Sequence, residues 1–227
     1  MKKFVCPLLL IAGIFFSAMS FADQGQSLPL KQQFLYAGLI GGYGNDDWSS
    51  MVVSYNNVAD IATYNSNPAG VDGKGALFGL NAGYQFNAHV AVEAEYVKMP
   101  TANVSMKYFG SASLERNISS QLSYAAITLK LMAPIFNSNF TFFAEAGPAY
   151  EWRKDSASWD LLDEYPAVSV GTWAPLFGGG FMYRMDQHWQ SELAFQYLPG
   201  TGKSVGDPMN YYIPEIYAGQ FKLDYIF

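Results

Sequence analysis

The chain has 227 residues, of which half are hydrophobic and 17% are aromatic, whereas only 14% are charged. That charged fraction is well below the roughly 25% that is typical of soluble domains. The formal net charge is −6, and no basic cluster is present that would neutralise phosphates, which argues against a nucleic-acid partner. The only cysteine is Cys6, so the chain beyond it has neither disulfides nor thiol chemistry.

The N-terminal segment has the three parts of a secretory signal peptide. Two lysines follow the first Met, residues 5–16 are apolar, and Ser20 and Ala22 place small side chains at the positions that signal peptidase requires. We predict a signal peptide over residues 1–22 with cleavage between Ala22 and Asp23. The mature chain then has about 205 residues, a length that fits a single domain.

After a short polar leader over residues 23–33, large apolar residues alternate with small or polar ones in eight segments. This period of two predicts β-strands with one apolar face. Each segment has about the 9–11 residues that a tilted strand needs to cross a bilayer. The predicted strands lie within residues 34–44, 76–86, 90–98, 121–132, 140–151, 172–184, 189–198 and 217–227.

The connections between these segments alternate in length. Residues 87–89, 134–139 and 185–188 are short turns, whereas 45–73, 100–116, 153–168 and 199–214 read as long polar loops. An even number of strands with alternating short and long connections is typical of transmembrane barrels. We therefore predict an all-β fold, an eight-stranded antiparallel transmembrane up-and-down β-barrel over residues 34–227. We expect it to be a monomer with both termini in the periplasm.

Aromatic residues collect at both ends of the predicted strands, as expected where amphipathic rings meet the lipid interface. One girdle is predicted from Tyr84, Phe86, Phe140, Tyr183, Trp189, Tyr225 and Phe227. The other is predicted from Tyr96, Tyr150, Trp173, Tyr197 and Tyr217.

Residues 34–44, residues 83–96 and the terminal Phe227 resemble the small eight-stranded outer-membrane barrels of the OmpA-like and opacity-protein type. The resemblance covers the whole mature chain. It implies the bacterial outer membrane as location, with membrane lipid and lipopolysaccharide as surroundings. It also implies a C-terminal signal read by the barrel-assembly machinery. That signal falls on Tyr217, Phe221, Leu223, Tyr225 and Phe227.

Charged residues occupy the predicted inward faces. A narrow eight-stranded interior is nearly filled by side chains, and charges buried there have to pair or change protonation. We expect a structural salt-bridge network that plugs the barrel. A gated ion pathway is the alternative, and the surplus of acids would favour cations. The expected network residues are Glu93, Glu95, Lys130, Glu145, Arg184, Glu192, Lys222 and Asp224.

The sequence offers little for catalysis. His89 and His188 are the only histidines, and both fall in predicted periplasmic turns, away from surface lipid. We expect no enzyme activity and no cofactor. The loop acids lack the spacing of a calcium-binding loop, so we expect solvated charges and no metal site. These acids are Asp46, Asp47, Asp60, Asp72, Asp155, Asp160, Asp163 and Glu164.

Aromatic residues in the long loops are predicted to be exposed, which is common at recognition surfaces on rigid scaffolds. They are Trp48, Tyr55, Tyr64, Tyr108, Trp159, Tyr211 and Tyr212. The sequence therefore favours a structural barrel whose loops contact other cells, host molecules or lipopolysaccharide. The alternative is a narrow porin-like channel for ions or small solutes.

Overall fold

The computed structural model describes residues 33–48, 53–57, 62–66, 68–108, 114–135, 138–158, 168–200 and 213–227. The predicted signal peptide, its cleavage site at Ala22 and Asp23, and the leader up to residue 32 lie outside the described residues. No helix among the described residues is long and apolar enough to cross a membrane.

The described chain is built from β-strands. They are β1 Phe34–Asp47, β2 Val53–Asn57, β3 Ala62–Ser66, β4 Pro68–Asp72, β5 Lys74–Gln85, β6 Val90–Tyr108, β7 Leu114–Pro134, β8 Phe140–Ser158, β9 Val168–Arg184, β10 Trp189–Leu198 and β11 Glu215–Ile226.

Eight of these strands form a closed barrel, as predicted. Each of β5 to β10 pairs antiparallel with its successor, and β1 pairs with both β5 and β11, so the last strand closes on the first. At this closing seam Leu39 lies opposite Leu223 and Tyr36 lies opposite Ile226. Closure leaves none of these eight strands as a free edge, which removes a route to aggregation.

Side chains alternate between a buried lumen and an exposed exterior along each strand. In β5, Leu77, Asn81 and Gln85 are buried, whereas Phe78 and Leu80 are 66% and 56% exposed. Large apolar side chains exposed in this regular way form a band that suits contact with lipid tails. The residues of both predicted aromatic girdles are exposed or partly exposed on this outer surface.

The two rims differ. One, here called the terminal rim, holds Phe34, Ile226 and the tight turns at 86–89 and 185–188. At the other, the extended rim, β6 to β9 continue far beyond their neighbours. They have 19, 21, 19 and 17 residues, against 12 in β5 and 10 in β10. Since a crossing strand needs about 10 residues, these four strands continue past the bilayer for about 23–36 Å along the strand, which a tilt of about 40° reduces to about 20–30 Å of height.

Part of the loop prediction is wrong, because several residues that were predicted as loops belong to strands. Residues 100–108 and 114–116 belong to β6 and β7, residues 153–158 belong to β8, and residues 45–73 contain β2, β3 and β4. β4 pairs with β6, and β2 pairs with β3 as a separate hairpin. The outward positions of these extensions, such as Thr101, Asn103 and Lys154, are polar, so the large outward apolar side chains that the prediction relied on are missing. Pairing with a neighbouring strand nevertheless continues.

Candidate functional site: the barrel lumen and the extended rim

Seven charged side chains from five strands point into one level of the lumen. The charged members are Glu93 and Glu95 from β6, Lys130 from β7, Glu145 from β8, Glu192 from β10, and Lys222 and Asp224 from β11. All seven are at most 4% exposed. Each lies on the inward parity of its strand, so strand pairing brings residues distant in sequence to the same place. We refer to this group and its polar neighbours as the luminal network.

Two lysines organise the luminal network around Glu93. Lys130 Nζ lies 2.7 Å from Glu93 Oε2 and 2.7 Å from Glu192 Oε2. Lys222 Nζ lies 2.6 Å from Glu93 Oε1 and 2.9 Å from Glu95 Oε2. Each oxygen of Glu93 therefore bonds a different ammonium group. These short charge-assisted bonds join β6 to its neighbour β7 and across the lumen to β11, and they join β7 across the lumen to β10.

Neutral side chains bond the carboxylate of Asp224, which has no ion pair among the described residues. Asn81 Nδ2 donates to Asp224 Oδ1 at 2.8 Å, and Gln190 Nε2 donates to Oδ2 at 3.0 Å. Tyr36 donates its hydroxyl to Glu93 Oε2 at 2.8 Å. The acids outnumber the lysines, and amides and hydroxyls supply further donors to the buried carboxylates. Glu95 Oε1 and Glu192 Oε1 have no hydrogen-bond donor among the described residues.

A neutral chain of hydrogen bonds extends the luminal network from Glu145 towards the extended rim. Gln196 Nε2 donates to Glu145 Oε1 at 2.8 Å. Its Oε1 accepts from Tyr124 at 2.6 Å and from Gln220 Nε2 at 2.7 Å. The amide orientation of Gln196 thus allows it to connect a carboxylate on one side with two donors on the other.

Two glycines have no side chain and so leave room for side chains of the luminal network. A Cβ on Gly83 would lie 2.3 Å from the hydroxyl of Tyr36, and one on Gly38 would lie 2.1 Å from Asp224 Oδ1. Neither position tolerates a larger side chain without displacing a member of the luminal network. Glycine is used here because a side chain crosses closely over the backbone.

Apolar layers enclose the luminal network on both sides. Towards the extended rim lies a packed cluster of Ile40, Leu77, Val97, Met99, Leu122, Tyr124, Ala126, Ala149, Val170, Leu176, Leu198, Ile213, Ile216 and Ala218. Towards the terminal rim lie two smaller clusters, one of Phe34, Tyr36 and Ile226, the other of Ala91, Met132, Phe143, Met182 and Ala194. These layers were not predicted from the sequence, although most of their members occupy inward positions of the predicted strands.

At the extended rim, two acids that were expected to be solvated and one tryptophan that was expected to be exposed are buried. Asp46 and Trp48 are each 3% exposed, and Asp155 is 7% exposed and paired with Arg153, whose Nη2 lies 2.8 Å from its Oδ2. Glu151 is fully buried. The structure turns these residues into the barrel because β1 and β8 continue as strands through positions that were read as the ends of loops.

Asp46 and Glu151 lie one position past the level of the girdle residues Tyr217 and Tyr150, at the outer edge of the membrane interface. Neither carboxylate has a hydrogen-bond donor among the described residues. Burial raises the pKa of Asp46 to about 8. Burial, and then the nearby charge of Asp46, raises the pKa of Glu151 to about 8. Both groups are therefore largely protonated at neutral pH.

The remaining predicted residues are elsewhere. Arg184 lies at the terminal rim, with its guanidinium carbon 4.6 Å from the centre of the Phe34 ring, and no ion pair joins it to the luminal network among the described residues. His89 and His188 occupy the short turns, where the His188 ring stacks on Tyr225. The predicted C-terminal signal lies on the outward face of β11, at Tyr217, Phe221, Leu223, Tyr225 and Phe227. The predicted acids and aromatics at 60, 159–164, 211 and 212 lie outside the described residues.

A family model for the OmpA-like transmembrane domain matches residues 31–225. The chain belongs to this family. It is therefore an outer-membrane barrel, and the resemblance drawn from the strand pattern is confirmed. No curated protein sequence matches the chain.

Several solved outer-membrane barrels are similar to this OmpA-like domain. Neisserial surface protein A is 10% identical, with 86% of this chain and 97% of that chain covered and a TM-score of 0.48. OprG from Pseudomonas aeruginosa is 17% identical, covering 86% and 96%, with a TM-score of 0.46. Ail of Yersinia pestis, in complex with the heparin analogue sucrose octasulfate, is 13% identical, covering 86% and 98%, with a TM-score of 0.44.

Proposed function

We propose that this OmpA-like barrel is a structural outer-membrane protein that presents an interaction surface at its extended rim. The observation that carries this proposal is the combination of a filled lumen with a projecting wall of strands. The luminal network and its apolar layers are at most 9% exposed, whereas β6 to β9 extend well beyond the membrane band. The extra strand length therefore enlarges the outer surface of the protein, while the filled lumen offers no passage.

The orientation follows from the rims. In barrels of this type short turns face the periplasm and long connections face the exterior. We therefore place the terminal rim, with both chain ends, in the periplasm and the extended rim outside the cell. The projecting wall then stands where it can meet other cells, host molecules or lipopolysaccharide.

Removal of the outer part of the wall tests the proposed surface. A variant with residues 103–117 replaced by a short Asn-Gly turn keeps the membrane-crossing parts of β6 and β7. We expect cells displaying it to lose adhesion to host cells or matrix relative to cells displaying the native barrel. A barrel with the terminal turn at 185–188 exchanged for Asn-Gly is the control and should adhere normally. Equal adhesion of all three would contradict the surface role.

The alternative, a narrow channel, is favoured by the polar luminal network that spans several strands. The apolar layer next to it opposes conduction, because ions entering that layer would lose their hydration. We expect no steady conductance from the native barrel in planar bilayers. Steady openings that are reduced in Glu95→Gln or Glu145→Gln would establish the channel instead.

The outward face of β11 also supports a role in assembly. Phe221, Tyr225 and Phe227 are 47%, 39% and 61% exposed on the last strand, which pairs with β1 at the closing seam. We propose that these side chains are read by the barrel-assembly machinery. Phe227→Ala should leave refolding into detergent unchanged but lower the amount of folded barrel in the outer membrane of cells. Equal amounts of native and variant barrel would contradict this role.

A further inference from the structure

The outer surface of β6, β7 and β8 differs from the rest of the barrel at the level of the extended rim. Tyr96 and Trp152 stack with ring centroids 5.8 Å apart and an interplanar angle of 21°. Tyr150 lies 6.0 Å from Trp152 and 5.2 Å from Trp173, measured between ring centroids. These four rings form a continuous aromatic shelf across β6 to β9. The ring at the β9 end of the shelf, Trp173, is 68% exposed.

Two exposed lysines lie just beyond this shelf on the same outward face. Lys98 follows Tyr96 by two positions, and Lys154 follows Trp152 by two positions. Strand register places Ser123 between Lys98 and Trp152, and Gln121 beside Lys154. With strands about 4.8 Å apart and a rise of about 3.4 Å per residue, the two Cα atoms are separated by about 12 Å.

The surface between the lysines is small and polar. Thr101 Oγ1 donates to Gln121 Oε1 at 3.0 Å, and Gln121 Nε2 donates to the carbonyl of Met99 at 2.8 Å. A β-bulge between Lys98 and Thr101 makes this register possible, and bulges of this kind occur at barrel rims to redirect side chains.

Neither lysine forms an ion pair with a carboxylate among the described residues. On the opposite side of the barrel, Asp47 and Glu215 face each other across the β1–β11 pair. Asp72, an exposed acid on the lysine side, lies opposite Asn103, beyond the bulge. Among the described residues, the rim therefore has two lysines over the aromatic rings and a pair of acids on the opposite side.

We propose that Lys98, Lys154 and the aromatic shelf of Tyr96, Tyr150, Trp152 and Trp173 form a binding site for a phosphorylated glycolipid of the outer leaflet. The shelf lies at the membrane interface, where a lipid headgroup meets the protein. Its rings offer flat apolar faces to a sugar, and the two ammonium groups above it face the depth of headgroup phosphates. This inference rests on the proposed orientation of the barrel and names the lipid partner of its rim.

The test measures binding of lipid A to the purified, folded full-length mature barrel by native mass spectrometry in detergent. We expect Lys98→Gln/Lys154→Gln to weaken binding of bisphosphorylated lipid A by about tenfold or more, since each lysine near such a surface contributes appreciably. Trp152→Leu should weaken it by about threefold. Lys98→Arg/Lys154→Arg keeps both charges and should bind like the native barrel.

Lys74→Gln is the matched control, because Lys74 is exposed at the same rim on β5 but lies away from the shelf. Its affinity should stay within about twofold of native, since charge at a distance is screened. A loss equal to that of the double glutamine variant would overturn the site, as would an unchanged affinity in that double variant. A heat-shift gel first confirms that each variant is folded.

Two further lipids test whether the site recognises both the phosphate and the sugar. Dephosphorylated lipid A should bind the native barrel as weakly as bisphosphorylated lipid A binds the double glutamine variant. Phosphatidylglycerol has a phosphate but no sugar, and equally tight binding of it would overturn the assignment to a glycolipid. Because lipid binding is measured on purified protein and adhesion on whole cells, failure of one proposal is distinguishable from failure of the other.

Discussion

Single residues carry much of the stability of the lumen, and Glu93 is the central example. Removal of one partner of a buried ion pair leaves the others unpaired and costs about 3–5 kcal/mol. We expect Glu93→Ala to lower the free energy of unfolding in urea by about that amount, because it leaves two lysines without their shared carboxylate. Tryptophan fluorescence of the barrel in lipid vesicles measures the transition.

The matched control for Glu93 is Glu215→Ala. Glu215 lies on the outward face and accepts one hydrogen bond, from Tyr217 at 2.8 Å. Its removal should change the free energy of unfolding by no more than about 1 kcal/mol. If Glu93→Ala cost no more than Glu215→Ala, the luminal network would not be a stabilising feature.

Asp46 and Glu151 predict a pH dependence at the same scale. Their folded pKa values of about 8 lie above those of carboxyl groups in an unfolded chain. Between about pH 4 and pH 8 the unfolded chain therefore binds fewer protons than the native state, and the stability that these groups contribute falls as pH rises. Above about pH 8 no further loss is expected from them.

The double variant Asp46→Asn/Glu151→Gln tests this sign. It should gain stability over the native barrel as pH rises from 4 to 8, reaching a difference of several kcal/mol, because each unit of pKa shift corresponds to about 1.4 kcal/mol. Urea unfolding at a series of pH values measures the difference. A gap between native and variant that stayed constant with pH would show that the two carboxyls titrate normally.

At the scale of elements, the extension of β6 and β7 is separate from the membrane-crossing barrel. Beyond Lys98 the two strands pair with each other, with β4 and with β8, and none of these described pairs includes a residue of the luminal network. We expect the variant that lacks residues 103–117 to fold. Its urea midpoint should lie close to native, because the buried network and apolar layers remain. A heat-shift gel and the midpoint check this, and failure to fold would mean that the extension is part of the core.

At the scale of the whole molecule, closure is the property to test. Every barrel strand pairs on both sides, so opening one strand pair exposes backbone groups to lipid, and each unpaired group is costly there. We expect the purified barrel to keep its compact form in cold detergent and to migrate differently after boiling. A single band position before and after boiling would count against a closed barrel.

Local patterns in the sequence predict the strands well where one face meets lipid. In 76–86 the alternation of Phe78, Leu80, Tyr84 and Phe86 with small or polar residues matches the exposed and buried positions of β5. Where the strands leave the membrane the outward face meets water, and polar residues such as Thr101, Asn103 and Lys154 replace the large apolar ones there. That is why the extensions of β6 to β8 were read as loops, and why Trp48 was expected at the surface.

The sequence by itself determined the architecture: the number of crossing strands, their period of two and the residues that face inward. These depend on neighbours along the chain and on the bilayer, which selects apolar side chains for one face. Only the tertiary structure decided that Lys130 and Lys222 share Glu93, that apolar layers enclose the luminal network, and that Lys98 and Lys154 flank one aromatic shelf. Those contacts join residues far apart in sequence, and they depend on strand register and barrel closure, which no local pattern encodes.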